Sequence, residues 1–232
     1  LIADRFIDFI NHIKSRTPTI TYSSVSIGNE IDGYLGTDNQ AWNNYKTFVD
    51  NVIPRIKPIF GNTVPIGVKA TYDGILDPAR QPNIIALNQN TDVAMLTYYP
   101  LKADFTVRDP ADVTDDFQNM VDILSPTGTK KIFLMEVGYP SATVCNSSIS
   151  KQNNFYKNMF TAWDTHAETI EAVEIVWLTD IDQTTVDEYT QFYGVSAPAF
   201  VGYLASLGIT NDDATNKPAF DTIRTATLNR KW

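Results

Sequence analysis

Two hydrophobic periods alternate along this 232-residue chain, and that alternation narrows its fold more than any other feature. Residues 1–15 place Ile2, Phe6, Phe9, Ile10 and Ile13 on one helical stripe. A β-branched run from Ile20 to Ile27 follows. A second helical stripe reads Trp42, Tyr45, Phe48, Val49, Val52, Ile53 and Ile56, with Pro54 and Pro58 expected to kink or fray its end. Strands are then expected at 64–70, 92–98, 131–137 and 172–178. Helices are expected near 79–89, after Thr114, around Phe155 to Trp163, and near 197–207 and 217–229. The runs Ile-Phe-Leu-Met (132–135) and Val-Glu-Ile-Val-Trp-Leu (173–178) are apolar at nearly every position, which suits strands covered on both faces. Strands alternating with helices in this way predict an α/β fold with a parallel sheet. No linker, repeat or charge block interrupts the pattern, so one domain over 1–232 is expected.

Charge excludes several partner classes. Asp plus Glu number 27 against 18 Lys plus Arg, a net charge of −9 with no basic cluster, which disfavours nucleic acid and anionic membrane surfaces. No run approaches the length of a membrane-spanning helix. Cys145 is alone and has no basic neighbour in sequence, so neither a disulfide framework nor a catalytic thiol is expected.

In parallel α/β folds, functional groups collect at the carboxyl ends of strands. Those ends here carry Gly28-Asn29-Glu30, Lys69 to Asp73, Tyr98-Tyr99-Pro100, Glu136, and Trp177 to Asp182. Two of the five ends bear a Glu followed by a glycine-containing loop, a costly place for a carboxylate without a task. A pair of carboxylates, one protonated and one ionised, is the machinery that cleaves glycosidic bonds. Aromatic faces stack on sugar rings, and a Tyr hydroxyl can orient the ionised partner.

At these residues the chain resembles the clan A retaining glycoside hydrolases, which are (β/α)8 barrels. Ser-Ile-Gly-Asn-Glu-Ile-Asp-Gly-Tyr-Leu-Gly (26–36) is similar to their acid/base segment, whose fourth strand ends in Asn-Glu. Phe-Leu-Met-Glu-Val-Gly-Tyr-Pro-Ser (133–141) resembles the seventh-strand segment with the nucleophile. Thr-Tyr-Tyr-Pro (97–100) resembles the sixth-strand Tyr motif, and Val-Trp-Leu-Thr-Asp (176–180) the eighth-strand Trp. The wording around Glu30 and Tyr98-Tyr99 is similar to endo-β-1,4-galactanases, and that around Glu136 to β-1,3-glucanases. Glu136 follows Glu30 by 106 positions (136 − 30), about the length of three βα units of roughly 30 or more residues.

The resemblance implies Glu30 as acid/base and Glu136 as nucleophile. It implies Asn29 as the residue that binds the 2-hydroxyl, Tyr99 or Tyr98 beside the nucleophile, and Trp177 as the sugar platform. Tyr34 and Tyr139 follow strands and are further candidates for lining a cleft, with loop packing as the equal alternative. The implied activity is retaining hydrolysis of a β-linked oligo- or polysaccharide, without cofactor or metal, outside the cell or at the cell wall. A non-catalytic carbohydrate-binding or interaction module is the alternative. Three further strands precede the Asn-Glu strand in the family, and one helix does here. The chain is therefore expected to supply about five βα units, strands 4 to 8, either with a preceding segment completing the barrel or as a truncated barrel.

Weaker signals have plain readings. Asp180, Asp182, Asp187 and Glu188 resemble a cation loop, but Thr185 and Gln191 stand where the EF-hand pattern needs Gly and Glu. His12 and His166 read as structural, and Asn146-Ser147-Ser148 is a glycosylation sequon.

Overall fold

The helical stripes fold as their spacing predicts. In the computed structural model, which describes residues 1–231, the elements in chain order begin with α1 (Ile2–Arg16), β1 (Val25–Ser26), α2 (Ile31–Leu35) and α3 (Asn39–Phe60). Next come β2 (Ile66–Gly67), β3 (Lys69–Thr71), α4 (Tyr72–Leu76), α5 (Gln81–Asn88) and β4 (Val93–Tyr98). The chain continues with α6 (Val113–Leu124), β5 (Lys131–Val137), α7 (Ile149–His166), β6 (Ile170–Ile175), α8 (Gln183–Tyr193), α9 (Pro198–Ala205) and α10 (Pro218–Asn229). Contacts group these residues into two units. One comprises Leu1–Thr97 with Asp122–Met135; the other comprises Tyr98–Val121 with the residues from Glu136 onward.

In the first unit, β1 and β2 pair in parallel, Val25 opposite Ile66 and Ser26 opposite Gly67. The expected strand at 64–70 is recorded as two pieces because its neighbour changes along its length. Its first half faces β1, and Lys69, Ala70 and Thr71 pair in parallel with Met95, Leu96 and Thr97 of β4. The Asp92 amide donates to the Ile66 carbonyl at 2.8 Å and carries the run from one partner to the other. β5 lies on the far side of β4. Every residue of β4 is buried, as a strand covered on both faces requires. Only Val25 and Ser26 of the run at 20–27 form a strand, and Ile20 is 52% exposed.

One expectation about the helices is corrected. Helix α3 is not frayed at its prolines but runs through Pro54 and Pro58 to Phe60. Both prolines lie four apart on the exposed side, where carbonyls deprived of an N–H partner are open to water, while Val52, Ile53 and Ile56 face the core. Helix α1 packs on α3. Phe6 meets Phe48 edge-on at 5.5 Å and Ile10 is buried, while Phe9 stays 56% exposed.

In the second unit, β6 follows β5 in the sheet, the Val176 amide donating to the Val137 carbonyl at 2.9 Å. Helix α7 begins at Ser148, whose hydroxyl accepts from the Lys151 amide, and buries Phe155, Tyr156, Met159 and Phe160. Helix α10 lies against it, with Arg230 over the Phe160 ring and the Thr222 hydroxyl donating to Asn153. The acidic stretch read as a possible cation loop is helix α8, with the Asp182 carboxylate accepting from the Thr185 amide as its cap. Among the described residues no group of acidic, His or Cys side chains could hold a metal, and no helix is long and apolar enough to cross a membrane.

Candidate active site

The second unit gathers a carboxylate, a phenol and an indole at the ends of its strands. Glu136 is the penultimate residue of β5, and Tyr99 comes directly after β4. The Tyr99 hydroxyl donates to Glu136 Oε2 at 2.9 Å. Burial holds the Tyr99 phenol well above its ordinary pKa, and the Tyr203 and Glu136 side chains push it the same way. Tyr99 therefore keeps its proton and is a fixed donor to the Glu136 carboxylate. Tyr203, on α9, stands edge-on to the Tyr99 ring at 5.5 Å.

Gly138 makes this approach possible. A Cβ there would lie 2.7 Å from Tyr99 Cε1 and 2.6 Å from the Val176 carbonyl oxygen, closer than side chains tolerate. Trp177 lies just past β6, half-buried, after a cis peptide bond from Val176. Its carbonyl accepts from the Ile209 amide at 3.1 Å. Lys217 Nζ, almost fully buried, donates to Asp180 Oδ1 (2.8 Å), Ser141 Oγ (3.1 Å) and the Gly208 carbonyl (2.9 Å). One ammonium thus ties the loop after Glu136 to the loop after Trp177. Burial keeps the Asp180 carboxyl above the usual carboxylate range, although Lys217 pulls it down. Gln152 of α7 adds a second tie, its side-chain amide reaching the carbonyls of Tyr139 (2.8 Å) and Gly208 (3.1 Å).

The other candidate residues lie elsewhere. Tyr98 is fully buried and donates to Asp116 Oδ2 at 2.6 Å, so Tyr99, not Tyr98, meets Glu136. Tyr139 is also buried; it stacks on Phe155 and donates to the Arg108 carbonyl at 2.7 Å. Its phenol is raised by burial and by Asp109 and Asp112, and its place is in packing rather than in an open cleft.

In the first unit, Asn29 is exposed and Glu30 half-buried. Tyr34 is 89% exposed. Glu30 has a left-handed backbone (φ +46°, ψ +47°) and precedes α2. Its turn depends on Gly28 at φ +88°, where a Cβ would collide with the Tyr45 hydroxyl and lie 2.7 Å from Ile31 Cγ2. Tyr45 clasps the turn by donating to the Ile27 carbonyl at 2.7 Å, and burial pushes its phenol up to about 12. Asp32, fully buried, anchors α2 by accepting from the Thr71 amide (2.8 Å), the Thr71 hydroxyl (2.6 Å) and Arg80 Nη1 (3.3 Å).

Lys217, Tyr203, Gln152 and Asp32 were not recognised from sequence as supports of the strand ends. Lys217 directly precedes α10 and is remote in sequence from Ser141 and Asp180. The other three sit within helices, where spacing says nothing of a partner many residues away.

These features define a class: an α/β fold of the (β/α)8-barrel type, of which the chain supplies about five βα units, β2 and β3 counting as one strand. No protein-family profile and no curated protein matches the chain. Solved structures do. GH5_18 from Streptomyces cattleya in complex with GlcNAc superposes with TM-score 0.72 at 13% identity, covering 99% of this chain and 54% of that one. GH5_18 from Bifidobacterium longum subsp. longum gives TM-score 0.72 at 10% identity, over 99% and 53%. The catalytic core of xylanase A gives TM-score 0.62 at 14% identity, over 95% and 70%. At these identities the likeness is one of fold. The chain spans about half the length of the GH5_18 structures it matches.

Proposed function

We propose that the protein is a retaining β-glycosidase acting on an oligo- or polysaccharide outside the cell. The observation that carries this reading is the Tyr99 hydroxyl at 2.9 Å from Glu136 Oε2 on a strand end. A protonated phenol on one carboxylate oxygen keeps the group oriented for attack through the other. Glu136 forms a bond to the anomeric carbon as the bond to the leaving oxygen breaks, and Glu30 gives that oxygen its proton. Water then attacks the same carbon, Glu30 takes the proton, and Glu136 leaves as carboxylate. Asn29 binds the 2-hydroxyl and Trp177 stacks on the ring. The sugar complexes of the GH5_18 structures, with GlcNAc and Manβ1-4GlcNAc, support a carbohydrate ligand.

Incubation with activated 2-fluoro β-glycosides tests the proposal, because they stop a retaining enzyme at the covalent stage. Mass spectrometry should find one glycosyl adduct on the peptide bearing Glu136. An active protein that forms no adduct and releases the inverted anomer refutes the mechanism. A protein that hydrolyses no β-glycoside refutes the function.

A further inference from the structure

Rings continue beyond Tyr99 and Trp177 in a track that the chemistry above does not use. Within the second unit, Tyr203 meets Phe200 at 6.4 Å, Phe200 meets Tyr193 at 5.7 Å, and Tyr193 meets Tyr189 at 6.5 Å. Tyr189 meets Trp177 at 6.2 Å. The two ends of the track, Tyr99 and Trp177, are thus both residues of the candidate site. Phe200 is buried, but the α8 portion is open: Tyr189 is 37% exposed, Tyr193 59% and Phe192 80%. Positions 189, 192 and 193 share one face of α8. Scattered exposed aromatics need no explanation, whereas a contiguous set leading from a candidate site does.

We infer that the α8 face is a platform for a neutral, soluble β-linked glycan chain whose sugars extend past Trp177. This rests on the glycosidase reading for the choice of sugar as ligand. Aromatic faces suit the C–H faces of pyranose rings, and the Tyr hydroxyls supply polar edges. Charge argues for a neutral chain: α8 carries Asp187 and Glu188 and no Lys or Arg, so a uronic acid polymer would be repelled. Ring orientation argues for a twisted chain. Successive planes differ by 42° from Trp177 to Tyr189, by 64° to Tyr193 and by 84° to Phe192. A flat crystalline ribbon would meet one ring at a time, while a helically twisting chain presents its sugars at changing angles.

The test compares wild type with Phe192→Ala and Tyr193→Ala by calorimetric titration with laminarihexaose and β-1,4-galactohexaose. Sedimentation and hydrolysis of an aryl β-glycoside run in parallel. At least one hexasaccharide should bind wild type, and each variant should weaken it about three- to tenfold, in line with aromatic contact energies. Aryl glycoside turnover should not change. Polygalacturonate and microcrystalline cellulose should bind more weakly than the hexasaccharide. Hexasaccharide affinity unchanged in both variants overturns the platform, as does no hexasaccharide binding by wild type. Loss of self-association without loss of sugar binding also overturns it, since the face would then meet a second copy. Failure of the glycosidase reading shows differently: no substrate is hydrolysed while variant-sensitive binding remains.

Discussion

Replacing Asp32 by alanine is the sharpest stability test of the first unit. Its carboxylate is fully buried and serves three donors: the Thr71 amide, the Thr71 hydroxyl and Arg80. Arg80 keeps a second carboxylate, since its Nε donates to Asp77 Oδ2 at 2.7 Å, so its charge is not orphaned. Both Thr71 donors go to Asp32. Each unsatisfied donor costs about 1–3 kcal/mol, and the small void left by the carboxylate adds to that. Asp32→Ala should therefore cost about 3–5 kcal/mol. Asp32→Asn fills the same space and still accepts from the Thr71 amide, but its amide group faces both Arg80 and the Thr71 hydroxyl, which can turn to accept from it. It should cost about 1–2 kcal/mol.

Trp42 is a built-in reporter for this experiment. It is 2% exposed, and its indole N–H donates at 3.0 Å to the carbonyl of Gly36, the residue that ends α2. Urea titrations followed by tryptophan fluorescence and by far-ultraviolet circular dichroism give the free-energy differences. An Asp32→Ala cost below about 1 kcal/mol would refute the anchoring argument. So would an Asn variant as damaged as the Ala variant, because the loss would then follow charge rather than hydrogen bonding.

Three further outcomes are expected. Tyr99→Phe should lower kcat roughly 10- to 150-fold with little change in melting temperature, as for a lost hydrogen bond to a charged group; a change under threefold would remove Tyr99 from the support of Glu136. Glu30→Ala should lose far less turnover on an aryl glycoside with an acidic leaving group than on an oligosaccharide, whereas Glu136→Ala should lose both, and equal losses would undo the role assignment. Burial raises Cys145 from 9.0 to about 11 and Tyr45 from 10.0 to about 12, so the unfolded chain ionises first as pH rises. The stability tied to these protons is complete below about pH 9 and declines through about pH 12. Melting curves across that range should fall, less so between pH 9 and 11 in Cys145→Ala, and a curve flat to pH 12 would contradict the burial.

Helices were legible wherever one face is apolar, because a 3.6-residue stripe is a local signal. Helices α1, α3 and α7 lie where their stripes stand. Helix α8 is not among the expected helices: its acidic residues invite only a comparison with a cation loop, which Thr185 and Gln191 argue against, and Asp182 caps the helix with its carboxylate on the Thr185 amide. Strand ends were less legible than strand centres. The apolar run through Val176-Trp177-Leu178 carries no mark at Ile175, where β6 stops, and Leu178 is 63% exposed. Likewise nothing local to residues 64–71 says that the run changes partner midway, since register depends on β1 and β4, distant in sequence.

At the candidate site, sequence delivered the residue types but not the choice between neighbours. Tyr98 and Tyr99 are adjacent, and consecutive strand side chains point to opposite faces, so only one of them can reach a given carboxylate. The motif Thr-Tyr-Tyr-Pro is silent on which, because parity is set by where β4 pairs with β3: Thr71 opposite Thr97. With that register Tyr98 goes to the core, its hydroxyl satisfied by Asp116 between the rings of Phe117 and Phe155. Tyr99 turns to Glu136. Glycine 138 is the complementary half of the same constraint. Any side chain there would displace Tyr99 Cε1 or the Val176 carbonyl, and so the phenol's hold on the carboxylate or the seat of the Trp177 loop. The glycine two positions after Glu136 therefore belongs to the site by exclusion: it contributes no chemistry of its own, yet the hydrogen bond between Tyr99 and Glu136 depends on its lacking a Cβ.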